Sequence, residues 1–77
     1  MVIGFILIQT GADQEKIVID ELNRMKEIDE AHFLFGEFDI IAKITAKDFK
    51  EVSNIVLQKI RSLDGVDDTE TLPGISF

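Results

Sequence analysis

The two halves of the chain repeat each other at a spacing of 38 residues. Each half is long enough for a β-strand, a crossover helix and a second strand. The matched positions are apolar residues of the helical stretches and turn or strand residues beyond them. They are Val18 and Val56, Leu22 and Ile60, Met25 and Leu63, Ile28 and Val66, Asp29 and Asp67, Leu34 and Leu72, and Gly36 and Gly74. The repeat therefore predicts two successive βαβ units.

Hydrophobic periodicity predicts the bounds of the elements within each unit. Strands are predicted at Val2–Gln9, Ile28–Phe35, Phe38–Thr45 and Val66–Leu72, and helices at Asp13–Lys26 and Lys47–Ser62. A tight turn is predicted at Gly36-Glu37, and Pro73-Gly74 is expected to end the last strand before a short tail, Ile75–Phe77. Right-handed crossovers place both helices on one sheet face. The predicted fold is α+β, ferredoxin-like βαββαβ, with a four-stranded antiparallel sheet and two helices on one face.

The chain has 77 residues, enough for one domain, and we expect a complete single domain over residues 1–77 that starts at Met1. A domain of this length buries only about 60% of the surface of its unfolded chain. It has no cysteine, so no disulfide can add stability. Self-association or a bound partner is the remaining way to stabilise so small a core.

The formal net charge is −7, and the lysine and arginine residues do not cluster. This charge would repel a phosphate backbone, so we predict that the chain does not bind nucleic acid directly. The apolar start of the chain, residues 1–8, is too short to span a membrane and lacks a basic region and a cleavage site typical of a secretory signal. We therefore expect a cytoplasmic protein without a membrane partner.

The sheet face that the helices leave open is predicted to be apolar, although an open face that meets water is usually polar. In the first strand Ile6 and Ile8 share one face, while Phe5 and Leu7 share the other. In the third strand Ile41 is on the sheet face opposite to that of Ile40 and Ala42. An uncovered apolar face marks an interaction surface, and we predict that it mediates self-association.

Candidate catalytic residues are sparse, and we predict no enzyme activity, no cofactor and no metal site. His32 is the single histidine and is interpreted as a strand surface residue. Asp67 and Asp68 are adjacent in a strand and so point to opposite faces, which prevents them from sharing an ion. The serines at 53, 62 and 76 have no nearby histidine to act as a base.

The segment from Phe35 to Asp39 is the most informative candidate for a binding site. Glycine at a tight turn exposes backbone N–H groups that can hold a carboxylate. Asp39, one residue into the strand, offers a charge-assisted acceptor for an ammonium group. These parts could hold both ends of an amino acid. The alternative is ordinary turn chemistry, in which Asp39 hydrogen-bonds its own backbone.

The segment from Gly36 to Ile41 resembles the Gly-x-Tyr-Asp hairpin in the ligand-binding domain of the Lrp/AsnC family of transcription regulators. Further segments resemble that domain in order and spacing over nearly the whole chain. They are Glu30-Ala31-His32, Ala46-Lys47-Asp48-Phe49, Ile60-Arg61-Ser62-Leu63-Asp64-Gly65-Val66 and Thr69-Glu70-Thr71-Leu72. The resemblance implies a stand-alone version of this domain, called a RAM module, without the helix-turn-helix that such regulators carry.

The resemblance also implies partners and site residues. Similar domains form dimers through facing sheets, assemble into larger rings and bind amino-acid effectors between dimers. The implied ligand-binding residues are Gly36, Glu37, Phe38, Asp39, Thr69 and Thr71. Full-length Lrp/AsnC regulators are implied as further partners. Phe38 replaces the usual tyrosine and Phe35 replaces a small polar residue, so the pocket is expected to be more apolar than in the family.

Three other classes share or neighbour this topology. The main alternative is a small ferredoxin-like enzyme of the dimeric α+β-barrel type, which needs polar groups on the open sheet face. An acylphosphatase-like enzyme needs an arginine in the first loop, and residues 9–12 have none. An RNA-binding sheet needs basic residues beside its aromatic ones. The ACT domain, which also binds amino acids, differs by the hairpin motif.

Overall fold

The four strands form one antiparallel sheet in the order β2-β3-β1-β4, with two helices between them in sequence. A computed structural model describes residues 1–75 of the chain. The elements are β1 (Val2–Thr10), α1 (Glu15–Arg24), β2 (Ile28–Phe33), β3 (Ile40–Ala46), α2 (Phe49–Ile55), a π-helical turn that continues α2 (Val56–Ile60), and β4 (Val66–Ile75). The predicted ferredoxin-like α+β fold is confirmed.

Alternate residues of the two central strands lie under the helices. Ile6 in β1 pairs with Ala42 in β3 on one side and with Thr71 in β4 on the other. Because opposite residues in a ladder point to the same face, the register places one set of aliphatic side chains beneath α1 and α2. The fully buried members of the core are Ile6, Ile8, Val18, Leu22, Ile40, Ile44, Val52 and Ile60. We call this side of the sheet the covered face.

Helix α2 packs closely on the sheet because Gly4 leaves room for it. A Cβ atom at position 4 would lie 2.6 Å from Cγ1 of Val52, which is too close for any real contact. The helix begins at a side-chain cap, since Oδ1 of Asp48 accepts a hydrogen bond from the backbone N–H of Glu51 at 2.9 Å. This cap and the close approach set the position of α2 over β1.

The connection between β2 and β3 is longer than predicted. The prediction of a tight turn at Gly36-Glu37 is wrong, because β2 ends at Phe33 and β3 begins at Ile40. Residues 34–39 form a six-residue loop. One hydrogen bond closes the loop, from the N–H of Leu34 to the carbonyl of Asp39 at 2.8 Å. The N–H of Asp39 donates to the carbonyl of Ile8 in β1 rather than to β2. Contacts with β1 therefore open the turn.

The last strand is also longer than predicted. Pro73-Gly74 does not end β4, which continues to Ile75 with Pro73 opposite Gly4 of β1. The sheet tolerates this proline because β4 is an edge strand. The predicted tail therefore begins inside a strand, and residues 76 and 77, including the serine at 76, lie outside the described part. Both helices are shorter than predicted, by two or more residues at each end.

Candidate functional site

The β2–β3 loop, residues 34–39, lies against the C-terminal end of β1 and contains four of the predicted site residues. The N–H of Asp39 donates to the carbonyl of Ile8 at 2.9 Å. The side-chain amide Nε2 of Gln9 donates to the carbonyl of Glu37 at 3.2 Å. The loop is therefore held to β1 at two points, one near its tip and one at its end.

The carboxylate of Asp39 makes the third link between the loop and β1. Its Oδ2 accepts hydrogen bonds from the backbone N–H of Thr10 at 2.8 Å and from Thr10 Oγ1 at 3.2 Å. Thr10 is nearly buried, at 9% exposure. Within residues 1–75, Oδ1 of Asp39 accepts no hydrogen bond. The carboxylate bonds the neighbouring strand rather than its own backbone, and one oxygen remains available.

The tip of the loop carries backbone donors that the chain itself does not use. The N–H groups of Gly36, Glu37 and Phe38 donate no hydrogen bond to any described residue. Gly36 has a φ of 113°, a left-handed conformation that favours glycine, and a Cβ there would meet nothing within 4 Å. Gly36 and Glu37 are exposed, so the tip of the loop lies on an open surface that another molecule can approach.

Aromatic side chains flank these donors. Phe35 is fully exposed at the tip of the loop, and Phe33 at the end of β2 is 55% exposed. Phe38 is partly buried. Large apolar side chains that protrude into water at one loop mark a contact surface for another molecule. The loop thus combines hydrogen-bond donors, one free carboxylate oxygen and apolar surface.

Thr69 and Thr71 lie away from the loop within one chain. They are in β4, where they face Ile8 and Ile6, so β1 separates them from β3 and the loop. The hydroxyl of Thr69 accepts a long hydrogen bond of 3.5 Å from Arg61. The structure thus brings Gly36, Glu37, Phe38 and Asp39 together but not the two threonines. Gln9 and Thr10 are the residues of this site that sequence reasoning missed.

The open face of the sheet carries an apolar centre. Ile3, Phe5 and Leu7 of β1 point away from the helices, as does Ile41 of β3. Phe5 is 37% exposed, and Leu72 in the neighbouring β4 is 44% exposed. A shallow depression of about 110 Å³ lies between Phe5, Ile41 and the charged residues of β2 and β3. Larger clefts of about 310 and 320 Å³ run along α2, away from the β2–β3 loop.

Among residues 1–75, no group of three or more histidine, cysteine, aspartate or glutamate side chains is placed to hold a metal ion. None of the described helices has both the length and the apolar character needed to cross a bilayer.

Sequence comparison relates the chain to a family of regulators. The family model for the Lrp/AsnC ligand binding domain matches residues 3–76. An HTH-type transcriptional regulator of Pyrococcus horikoshii is 31% identical over 70 residues, which cover 91% of this chain and 44% of the regulator. The chain spans about half the length of the curated relatives that it matches.

Structural comparison finds the same fold in solved structures. The crystal structure of FFRP-DM1 is 35% identical, with a TM-score of 0.91, and the match covers 97% of this chain and 100% of that chain. A transcriptional regulator of Neisseria meningitidis, crystallised as a complex with L-Met, is 21% identical, with a TM-score of 0.84. That match covers 97% of this chain and 50% of that chain, and at this identity it shows the shared fold alone.

Proposed function

Because the chain belongs to the Lrp/AsnC ligand-binding domain family, we propose that it is a self-associating module that binds an amino acid at the β2–β3 loop. The observation that carries this proposal is the set of unused backbone donors at Gly36, Glu37 and Phe38 next to the Asp39 carboxylate. A free amino acid has one carboxylate and one ammonium group, which match these donors and this acceptor.

Each part of the loop has a role in the proposed complex. The N–H groups from Gly36 to Phe38 bind the ligand carboxylate, as backbone nests bind anions. The free Oδ1 of Asp39 accepts a hydrogen bond from the ligand ammonium, while Oδ2 stays bonded to Thr10. Phe35, which is fully exposed, contacts the apolar part of the ligand. The L-Met complex of the distant Neisseria relative supports a ligand of this class.

The proposal includes self-association through the open face. Phe5 and Leu7 are too apolar to face water at the centre of a sheet, and a second copy with the same face would cover them. Two such sheets would form a dimer, and dimers could assemble into a larger ring. Thr69 and Thr71 share the covered side of the sheet with Ile8 and Ile6, and β1 separates them from the loop in one chain. They remain in the proposed site as residues that a copy from a neighbouring dimer, rather than the open-face partner, would bring to the loop.

The biological role that we propose is effector sensing linked to transcription. Several curated relatives are named as transcriptional regulators, and FFRP-DM1 is matched over its whole length by this chain. We propose that residues 1–77 act as a non-catalytic RAM module in the cytoplasm. Mixed assembly with full-length Lrp/AsnC regulators would pass the effector signal to them.

Calorimetric titration with a panel of amino acids tests the loop. Asp39→Asn retains an oxygen for Thr10 but removes the charge that the ligand ammonium needs. A charge-assisted hydrogen bond contributes about 1.5–3 kcal/mol, so the affinity should fall about tenfold or more. The matched control is Asp20→Asn on α1, where the carboxylate pairs with Lys16 one helical turn away. Equal affinities of Asp39→Asn and the unaltered protein would refute the site.

Light scattering at micromolar concentration tests the assembly. We expect a mass of at least two chains, where one chain is 8.7 kDa. Phe5→Lys puts a charge in the centre of the open face and should shift the mass towards one chain. Phe49→Lys is the control, because Phe49 is 42% exposed but lies on α2, and it should leave the mass unchanged. A mass of one chain for the unaltered protein would refute self-association.

A further inference from the structure

The single histidine of the chain lies on the open face among charged groups. His32 in β2 is opposite Ile41 of β3, and its Nε2 is 2.9 Å from Oε1 of Glu30. Glu30 is in turn opposite Lys43. The side chain of His32 is 64% exposed in a single chain. His32 would lie in the interface if two open faces met.

The other charged groups on the open face are mainly acidic. Glu30 comes from β2 and Lys43 from β3. Asp68 and Glu70 come from β4, where they are opposite Gln9 and Leu7, and β1 adds no charged side chain to this face. Asp29 of β2 adds a fourth carboxylate, because its Oδ2 accepts a hydrogen bond from the hydroxyl of Thr45, which is opposite Ile3 on the open face. With neutral histidine each face therefore carries four negative charges and one positive charge, a net charge of −3. Protonated histidine reduces this to −2.

We propose that protonation of His32 strengthens the pairing of two open faces, so that self-association responds to pH between about 8 and 6. The inference rests on the proposed dimer through facing sheets. Two faces of net charge −3 repel each other about twice as strongly as two faces of −2 at the same separation, because the energy scales with the product of the charges.

The surroundings of His32 increase this electrostatic effect once the face is covered. The depression beside it is lined by Phe5 and Ile41 as well as by Glu30 and Lys43. A second copy would exclude water from this apolar floor, and charges interact more strongly where water is excluded. Protonated His32 also retains Glu30 as an ion-pair partner, so its charge is compensated locally.

Histidine is the side chain that ordinarily changes charge in this pH range, whereas aspartate and glutamate ordinarily titrate at lower pH. A variant without the histidine therefore separates the effect of His32 from that of every other group.

Sedimentation velocity on dilution series at pH 8 and pH 6, at low ionic strength, tests the proposal. The dimer dissociation constant of the unaltered protein should be about threefold lower at pH 6 than at pH 8, and high salt should reduce the difference. His32→Gln should show little change with pH. Glu30→Gln also removes one negative charge from the face, so at pH 8 it should associate about threefold more tightly than the unaltered protein.

The outcomes separate this inference from the proposed function. A dissociation constant that does not change with pH, or that rises at pH 6, would overturn the inference. The same would follow if His32→Gln kept the full pH dependence. In these cases a dimer that Phe5→Lys weakens would leave the face-to-face assembly intact. A single chain at every pH and concentration would instead overturn the assembly itself.

Discussion

Ile6 and Leu7 are neighbours in β1, but they lie on opposite faces with different surroundings. Ile6 is fully buried on the covered face, whereas Leu7 on the open face is only partly buried, between Ile41 and Glu70 of the adjacent strands. Both faces use the same aliphatic residue types at their centre. The difference therefore arises from the cover: two helices of the same chain protect one face, and a second copy is proposed to protect the other.

The test with the largest expected effect replaces Ile6 and Leu7 with alanine, one at a time. Ile6→Ala leaves a cavity beneath the helices and should lower the free energy of unfolding by about 2–5 kcal/mol at any protein concentration. Leu7→Ala should cost less in a single chain, and its cost should grow with concentration because Leu7 acts through association. Urea unfolding of both variants at two concentrations measures this. Equal, concentration-independent losses would show that the faces do not differ in the way proposed.

A second test adds one methyl group to each face. Gly4→Ala forces a Cβ against Val52 on the covered face, and overpacking of this kind costs about 1–3 kcal/mol. Gly74→Ala places its Cβ 3.5 Å from the Ile3 carbonyl oxygen, an ordinary contact, and should change stability by less than about 0.5 kcal/mol. Thermal unfolding of the two variants gives the comparison. A stability loss for Gly74→Ala as large as that for Gly4→Ala would contradict it.

A third test concerns the end of β1, where one residue from each face holds the β2–β3 loop. Thr10 points to the covered side and bonds Asp39 almost out of water, whereas Gln9 on the open side bonds Glu37 in an exposed position. Thr10→Val should therefore lower stability by about 1 kcal/mol, and Gln9→Leu by less. Chemical unfolding curves of both variants decide this, and a greater loss for Gln9→Leu would reverse the ranking.

The smallest expected effect is a pH dependence in the helical layer over the covered face. A hydrogen bond from Lys59, in the π-helical turn, lowers the pKa of the Glu27 carboxyl below its ordinary value of 4.5. A lowered pKa in the folded state adds stability above that ordinary value, and this stability is lost as pH falls through the folded pKa. Lys59→Met should therefore be less stable than the unaltered protein at pH 7 but not at about pH 2.5.

Lys50→Met is the control for this pH dependence. Lys50 is in α2, the helix that the π-helical turn continues, and it has no ion pair within residues 1–75. Its substitution should give the same small stability difference at both pH values. If Lys59→Met behaved in the same way, the ion pair with Glu27 would contribute nothing to stability.

The sequence repeat explains why the fold could be predicted. The repeat also extends to the two places where the strand pairing shifts register. The pairing of β2 with β3 shifts between Ile28 and Glu30, and the pairing of β4 with β1 shifts opposite Asp67. Asp29 and Asp67 are matched positions of the repeat, so both units carry the irregularity at the same place. Nothing in the sequence pattern alone indicated that these residues would be left out of the pairing.

The candidate site was predictable only in part. Gly36 and Asp39 could be identified because glycine and aspartate beside an apolar run indicate a turn that can offer hydrogen-bond donors and an acceptor. Gln9 and Thr10 were missed, although a polar pair at the end of an otherwise apolar strand was a usable signal. Their contacts with the loop join residues 28 and 29 positions apart, and no local pattern identifies such partners.

By itself the sequence determined the fold class, because alternation within a strand, helical spacing and the repeat depend on residues close together in the chain. Only the tertiary structure decided that the turn opens into a six-residue loop and that β4 continues past Pro73. Both outcomes depend on β1: it pairs with β4 along the edge of the sheet, and Thr10 holds the carboxylate of Asp39. Long-range hydrogen bonds of this kind exist only once the strands have assembled, so they override local turn preferences.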